Sequence, residues 1–169
     1  MAGDSGEMED DSHWQVEQWL NSAEPVTLSA LRGRVVYVLA FQMLCPGCAT
    51  EALPQALRVR QSFAERDVAV IGLHTVFEHH EAQGSAAALK AFLHEYRIGF
   101  PVGIDSHGPR SGLPRTMEYY QMRGTPTELL FDRAGELRMQ HFGHLEDLRL
   151  GANIATLLAE PAPAPDNGT

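Results

Sequence analysis

Two cysteines separated by two residues are the part of this sequence best suited to chemistry. Cys45 and Cys48 lie in the stretch FQMLCPGCATEALP and are the only cysteines of the chain. Thiols at this spacing form a redox couple, supply half of a metal site, or make a peroxide-reducing centre. Because a four-cysteine zinc site needs two more sulfurs, the pair does not make one by itself.

The residues around the pair place the first sulfur at the start of a helix. An apolar run, VVYVLAF, precedes the pair, and a helix is predicted to begin close to Cys45. Unpaired amides and the helix dipole favour an anion there and lower the thiol pKa, so we expect Cys45 to be the nucleophile. Cys48 lies one turn further along, where a resolving thiol belongs. Pro46 suits the first helical position, and Gly47 keeps the turn slim.

Alternating strands and helices are predicted to position the pair. VVYVLAF and VAVIGLHT are typical of strands buried on both faces of a mainly parallel sheet, and FPVGID predicts a third, short strand. Helices are predicted over residues 48 to about 65, with a kink at Pro54, in SAAALKAFLHEYRI with Ser85 as its N-cap, and in LPRTMEYYQM. TELLFD and LRMQHFG predict a hairpin. The closing helix, HLEDLRLGANIATLLAE, is predicted to turn these residues inward: Leu145, Leu148, Ile154, Leu157 and Leu158. This order implies an α/β sandwich.

The two ends of the chain differ in composition from its middle. Residues 1–11 are acidic and residues 160–169 alternate Pro and Ala, so both are expected to be disordered around one domain at 12–159. Ser12 is the predicted N-cap of a short helix that carries Trp14, Val16, Trp19 and Leu20. A short extended stretch, VTLSAL, is predicted to follow that helix.

Composition and charge exclude several classes of partner. The chain has 169 residues, enough for one domain, and its net charge of -9 gives no basic field for nucleic acid or an anionic membrane. It shows no secretory signal and no apolar run long enough to span a bilayer, so we expect a cytosolic protein. In a reducing cytosol the pair is expected to be a working dithiol or a ligand pair. No nucleotide or flavin motif is present, so no cofactor is expected.

The sequence resembles the thioredoxin superfamily, and within it the TlpA-like and redoxin (AhpC/TSA-related) branch, over roughly residues 25 to 158. The resemblance rests on VVYVLAFQMLCPGC, on Pro54, on VAVIGLHT and on MRGTPTELLFDRAGEL. It implies a thioredoxin-like three-layer α/β/α sandwich with a central mixed β-sheet. It also implies a thiol-disulfide oxidoreductase: Cys45 attacks a disulfide of a protein or small-thiol partner, Cys48 resolves the mixed disulfide, and an external reductant or oxidant resets the pair.

The resemblance adds three residues to the site. Pro126, after Thr125, is expected to be the cis-proline that faces the dithiol and presents backbone to a bound substrate. Glu51, three residues after Cys48, matches an acidic position of some TlpA-like members, where it would tune or relay the proton of the second thiol; the alternative is a solvated helix carboxylate. One departure concerns Leu39, which stands where thioredoxin has a buried acidic residue.

A second departure keeps a peroxiredoxin-like thiol peroxidase open as an alternative. Pro54 comes six residues after Cys48 instead of the usual five, and some peroxiredoxins have a proline six residues after their peroxidatic cysteine. In that alignment Cys48 is peroxidatic, Cys45 replaces the Thr that helps to hold peroxide, and Pro126 replaces the Arg that stabilises the developing charge. Arg123 is close enough in sequence to substitute for that Arg.

A metal-binding or interaction module is the non-enzymatic alternative. His74, His79 and His80 flank VFEHHE, and imidazole together with thiolate suits zinc or copper. Adjacent histidines in a loop are most often solvated surface, however, so no metal ligand is assigned.

Overall fold

A mixed six-stranded sheet forms the centre of the molecule. The computed structural model describes residues 13–108 and 112–165; the expectations for residues 1–11, for Ser12 and for residues 166–169 lie outside them. The strands are β1 (Val16–Leu20), β2 (Val35–Phe41), β3 (Val68–His74), β4 (Val102–Asp105), β5 (Thr127–Phe131) and β6 (Leu137–Phe142). Their order is β1-β4-β3-β2-β5-β6, with β2, β3 and β4 parallel and the other pairs antiparallel.

Helices cover both faces of this sheet. They are α1 (Leu53–Ser62), α2 (His80–Gln83), α3 (Ala86–Glu95), α4 (Arg115–Tyr119) and α5 (Asp147–Ala159), with a 3-10 turn at Ser29–Leu31. Residues of α1, α3 and α5 share one core with alternate residues of β2, whereas the other residues of β2 pack with α4, Leu31 and Trp14. The predicted three-layer sandwich is therefore confirmed. In the described part of the chain, no helix combines the length and apolarity needed to cross a membrane.

The prediction of a helix at the start of the domain is wrong. Residues 16–20 form the edge strand β1, which runs antiparallel to β4 with Leu20 opposite Val102. A register shift between Val16 and Gln18 lets the strand accommodate an apolar spacing that also fits a helix. The unpaired edge of β4 supplies the backbone partners that decide the outcome, because tertiary context overrides local propensity. The stretch VTLSAL likewise ends in the 3-10 turn instead of staying extended throughout.

Two details of the predicted helices also change. Leu148 was expected to face inward, but it is 90% exposed. Helix α5 buries Leu150 together with Ile154 and Leu157, the last two as predicted, because residues three or four apart share a helix face. The helix after the cysteines ends at Ser62 and begins with a wider, π-helical turn at Cys48–Ala52. This turn lies just before Pro54, whose ring and missing N–H do not fit a regular helix interior.

Candidate active site

Cys45 lies at the junction between β2 and the helix that follows it. Its own N–H donates to the carbonyl of Gln42 at 3.2 Å, which closes a tight turn after the strand. The N–H of Cys48 donates to Cys45 Sγ at 3.3 Å. The sulfur therefore accepts one of the free amides at the helix start, as a capping side chain does.

The two thiols differ sharply in their access to solvent. Cys48 is completely buried, whereas Cys45 is partly exposed, and both are unpaired thiols. Burial, assisted by the hydrogen bond with Cys45, raises the pKa of Cys48 to about 12. At neutral pH Cys48 is therefore protonated, and Cys45 is the sulfur that a substrate can reach.

The loop before β5 lies directly against the cysteines. The Thr125–Pro126 peptide bond is cis. Cys45 donates its S–H to the carbonyl oxygen of Thr125 at 3.5 Å. A Cβ atom built on Gly47 would lie 3.8 Å from Pro126 Cδ, so the small residue of the cysteine turn faces the proline ring. The structure thus brings Thr125 and Pro126 against the cysteine turn.

Two buried glutamines, neither of them predicted as a site residue, connect this loop to the cysteine turn. Gln42 donates through Nε2 to Thr125 Oγ1 at 3.1 Å. Its Oε1 accepts from Gln83 Nε2 at 3.1 Å and from the Phe77 N–H at 3.2 Å. Gln83 in turn accepts the N–H of Leu44 at 3.0 Å. The only feature of the sequence that pointed to this network was Gln42, a polar residue directly after an apolar strand.

His74, at the end of β3, belongs to the same buried region. It accepts the N–H of Met43 through Nε2 at 3.3 Å, and burial lowers its pKa to about 4, so the ring is neutral. His79 and His80 are exposed. Within residues 13–108 and 112–165, no group of three or more His, Cys, Asp or Glu side chains is arranged to hold a metal ion.

The central sheet buries the carboxyl group of Glu128 on β5, next to β2. Glu51 is exposed on the π-helical turn. Glu128 is fully buried on β5, opposite Leu39 in the register with β2. Tyr37 donates its hydroxyl to Glu128 Oε1 at 3.0 Å, whereas Oε2 has no hydrogen-bond partner among the described residues. Burial raises the pKa of Glu128 to about 7. The neighbouring strand thus supplies a buried acid beside Leu39, and a Glu inside the apolar run TELLF was the signal that the sequence analysis passed over.

Exposed apolar side chains flank the reachable thiol. Leu44, the residue before Cys45, is 54% exposed, and Phe142 is 46% exposed. A Cβ atom on Gly124 would approach Phe142 Cε2 to 2.9 Å, which places that ring against the loop of Thr125. The guanidinium of Arg123 lies 5.5 Å from the centre of the Phe142 ring.

Comparisons with known proteins agree with this architecture. The AhpC/TSA family matches residues 13–140. A thioredoxin-like superfamily protein of known crystal structure is 60% identical over 88% of this chain and 96% of its own, with a TM-score of 0.85. A thiol-disulfide isomerase from Corynebacterium glutamicum is 43% identical over 87% of this chain and 94% of its own, with a TM-score of 0.83. A thioredoxin-like protein solved in its oxidised form, 22% identical over 86% and 91% of the two chains, shares the fold with a TM-score of 0.70. Among curated proteins no match was found.

Proposed function

This chain belongs to the AhpC/TSA family, and from that premise we propose that Cys45 and Cys48 form the redox dithiol of a thiol-disulfide oxidoreductase. The observation that carries the proposal is the pairing of a partly exposed thiol, Cys45, with a buried thiol, Cys48. The backbone N–H of Cys48 donates to Cys45 Sγ at 3.3 Å. This asymmetry suits an attacking and a resolving thiol. The substrate is a disulfide of a protein or a small-thiol partner.

The reaction follows two exchanges. Cys45, as the thiolate, attacks one sulfur of the substrate disulfide, so that a mixed disulfide forms and the other substrate sulfur leaves as a thiolate. Cys48 then gives up its proton and attacks Cys45 Sγ, which releases the second substrate sulfur. Two electrons and two protons pass to the substrate, and an external dithiol reductant returns the Cys45–Cys48 disulfide to its reduced form.

The residues around the pair have distinct parts in this scheme. Thr125 and Pro126 present backbone to the bound disulfide, and the glutamine network holds their loop in place against the cysteine turn. Cys48 needs a proton acceptor because its burial favours the thiol. Two carboxyl groups are candidates for that part: Glu51, which is exposed three residues after Cys48, and Glu128, which is buried on β5 with its pKa raised to about 7 by burial.

A pair of serine variants tests the proposal. With insulin or oxidised glutathione as the substrate, Cys45→Ser is expected to abolish disulfide reduction. Cys48→Ser is expected to stop after one exchange and accumulate a mixed disulfide on Cys45, which intact-protein mass spectrometry detects. A Cys45→Ser protein that still reduces disulfides, or a Cys48→Ser protein that traps no partner, contradicts the assignment.

The peroxidase and metal alternatives have less support from the geometry. Arg123, the arginine that would replace the missing peroxide-stabilising group, stacks on Phe142. A metal assay on the purified protein tests the third alternative, and stoichiometric zinc or copper bound through Cys45 or Cys48 would favour it.

A further inference from the structure

A cavity of about 680 Å³ lies between the end of β1, helix α3 and the loop that follows this helix. We call it the α3 pocket; its lining includes Trp19, Leu93, Lys90, His94, Arg97 and Ile98. β1 is the edge strand, three places from β2 in the sheet, and its last residue, Leu20, pairs with the start of β4. Because β2, β3 and β4 run parallel, the cysteines that follow β2 lie at the carboxyl-terminal ends of these strands, whereas Leu20 lies beside the amino-terminal end of β4. The α3 pocket is therefore separate from the dithiol site.

The α3 pocket has a partly apolar lining and room for a small molecule. Trp19, Leu93 and Ile98 supply aromatic and aliphatic surface. Ala86 and Ala87, at the start of α3, have side chains too short to fill the gap between the helix and β1. The volume lies within the range of roughly 300–1,000 Å³ typical of small-molecule sites. A one- or two-ring organic molecule therefore fits.

The charge of the α3 pocket opposes that of the whole chain. All three ionisable side chains that line it are of basic type, Lys90, His94 and Arg97, and none of the described lining residues is acidic. The chain as a whole has a net charge of -9, and Lys90 is its only lysine. Within the described residues neither Lys90 nor Arg97 forms an ion pair, whereas His94 lies 3.5 Å from Glu95. Two unpaired cations beside an apolar wall favour an anion.

We propose that the α3 pocket binds a small amphipathic carboxylate, with its apolar body against Trp19 and Leu93 and its carboxylate at Lys90 and Arg97. A neutral molecule of the same shape gains the apolar contact but not the charge interaction. The net negative charge of the chain disfavours an organic anion in general, and Lys90 and Arg97 offset it locally at the α3 pocket. Binding here does not require the cysteine pair.

Isothermal titration calorimetry of the full, reduced chain with 2-naphthoate and with neutral 2-naphthalenemethanol tests the charge requirement. The two probes share the same rings, and 2-naphthoate is expected to bind about tenfold more tightly. Lys90→Ala and Arg97→Ala are each expected to weaken naphthoate binding about three- to fivefold, and the double variant by about tenfold, as partly exposed charge pairs do. Lys90→Arg is expected to restore most of the loss, and Arg149→Ala, an exposed arginine of α5 outside the pocket, is the matched control. Circular dichroism verifies that each variant is folded.

Three outcomes overturn the proposal. Equal affinities for the two probes would mean that the pocket is merely apolar, and no heat with 2-naphthoate would mean that it does not bind this class of ligand. Unchanged binding in the Lys90→Ala, Arg97→Ala double variant would place the anion elsewhere. Insulin reduction by Lys90→Ala is expected to match the unmodified protein, so this test is independent of the proposed redox function.

Discussion

Replacing Glu128 with Gln tests the energetic consequence of the buried carboxyl. The pKa of Glu128 rises from 4.5 to about 7 on folding, chiefly through burial. At about 1.4 kcal/mol per pKa unit, this difference corresponds to about 3 kcal/mol of folding free energy. Below pH 4.5 the carboxyl is protonated in both the folded and the unfolded chain, and its full contribution to stability is present. Between 4.5 and about 7 the unfolded chain ionises while the folded chain does not, so this contribution is lost as the pH rises.

The glutamine variant cannot ionise, yet it keeps an oxygen that accepts the hydroxyl of Tyr37. At about pH 4.5 Glu128→Gln is therefore expected to have nearly the stability of the unmodified protein. At about pH 8 the variant is expected to be more stable by up to about 3 kcal/mol. Glu51→Gln is the matched control, because Glu51 is exposed, and its stability relative to the unmodified protein is expected to change little with pH.

Urea unfolding of the reduced proteins at a series of pH values measures this difference. Trp14, which is buried with its ring 5.9 Å from that of Phe131, provides a fluorescence signal for the loss of the core. Other titrating groups are present in all three proteins and cancel in the comparison. If the stability difference between Glu128→Gln and the unmodified protein is the same at about pH 4.5 and about pH 8, the account of Glu128 as a buried, neutral carboxyl is refuted.

Three further predictions concern the site itself. Iodoacetamide at neutral pH is expected to modify Cys45 much faster than Cys48, because Cys48 is buried and protonated; peptide mass spectrometry that finds Cys48 labelled first would reverse the two roles. Hydrogen peroxide is expected to oxidise the reduced protein more slowly than oxidised glutathione does, since the usual peroxide-stabilising donors are missing, each worth a factor of about a hundred or more. Thiol titration follows both reactions, and fast peroxide turnover that Cys48→Ser abolishes would instead favour a peroxidase. Gln83→Met is expected to lower the free energy of unfolding by about 1–3 kcal/mol, because it removes the buried amide that accepts from the Leu44 N–H and donates to Gln42 Oε1. Gln140→Met, on the exposed face of β6, is the control, and an equal effect of the two changes on urea unfolding would argue against the buried network.

Features encoded in short stretches of sequence were predictable. The turn at the cysteines, the strands β2 and β3, and the Ser85 cap of α3 each follow from neighbouring residues; Ser85 Oγ accepts the Ala88 N–H at 3.1 Å. The strand β1 was not predictable in this way, because its apolar spacing fits a helix equally well until the free edge of β4 is known.

The hidden parts of the site depend on residues far apart in the chain. Gln42 and Gln83 are separated by 41 positions, and Tyr37 and Glu128 by 91. A glutamate in a strand is ordinarily exposed, so its burial becomes evident only when the opposite strand and the covering helices are in place. Local sequence patterns therefore identified the two cysteines, whereas the polar side chains around them could be identified only from the assembled sheet.

His74 gives the folding reaction an unusual proton balance. Its pKa falls from 6.5 to about 4 on folding, so between these values the unfolded chain holds a proton on this ring that the folded chain releases. This contribution to stability is present above 6.5 and is lost as the pH falls toward 4, in the opposite sense to Glu128, which takes up a proton on folding between 4.5 and about 7. Where the two ranges overlap, between 4.5 and 6.5, one site releases the proton that the other binds, so these two groups exchange no net proton with the buffer. In that interval folding in effect moves one proton from His74 to Glu128. An imidazolium and a carboxylate in water become a neutral ring and a neutral carboxyl group in the core.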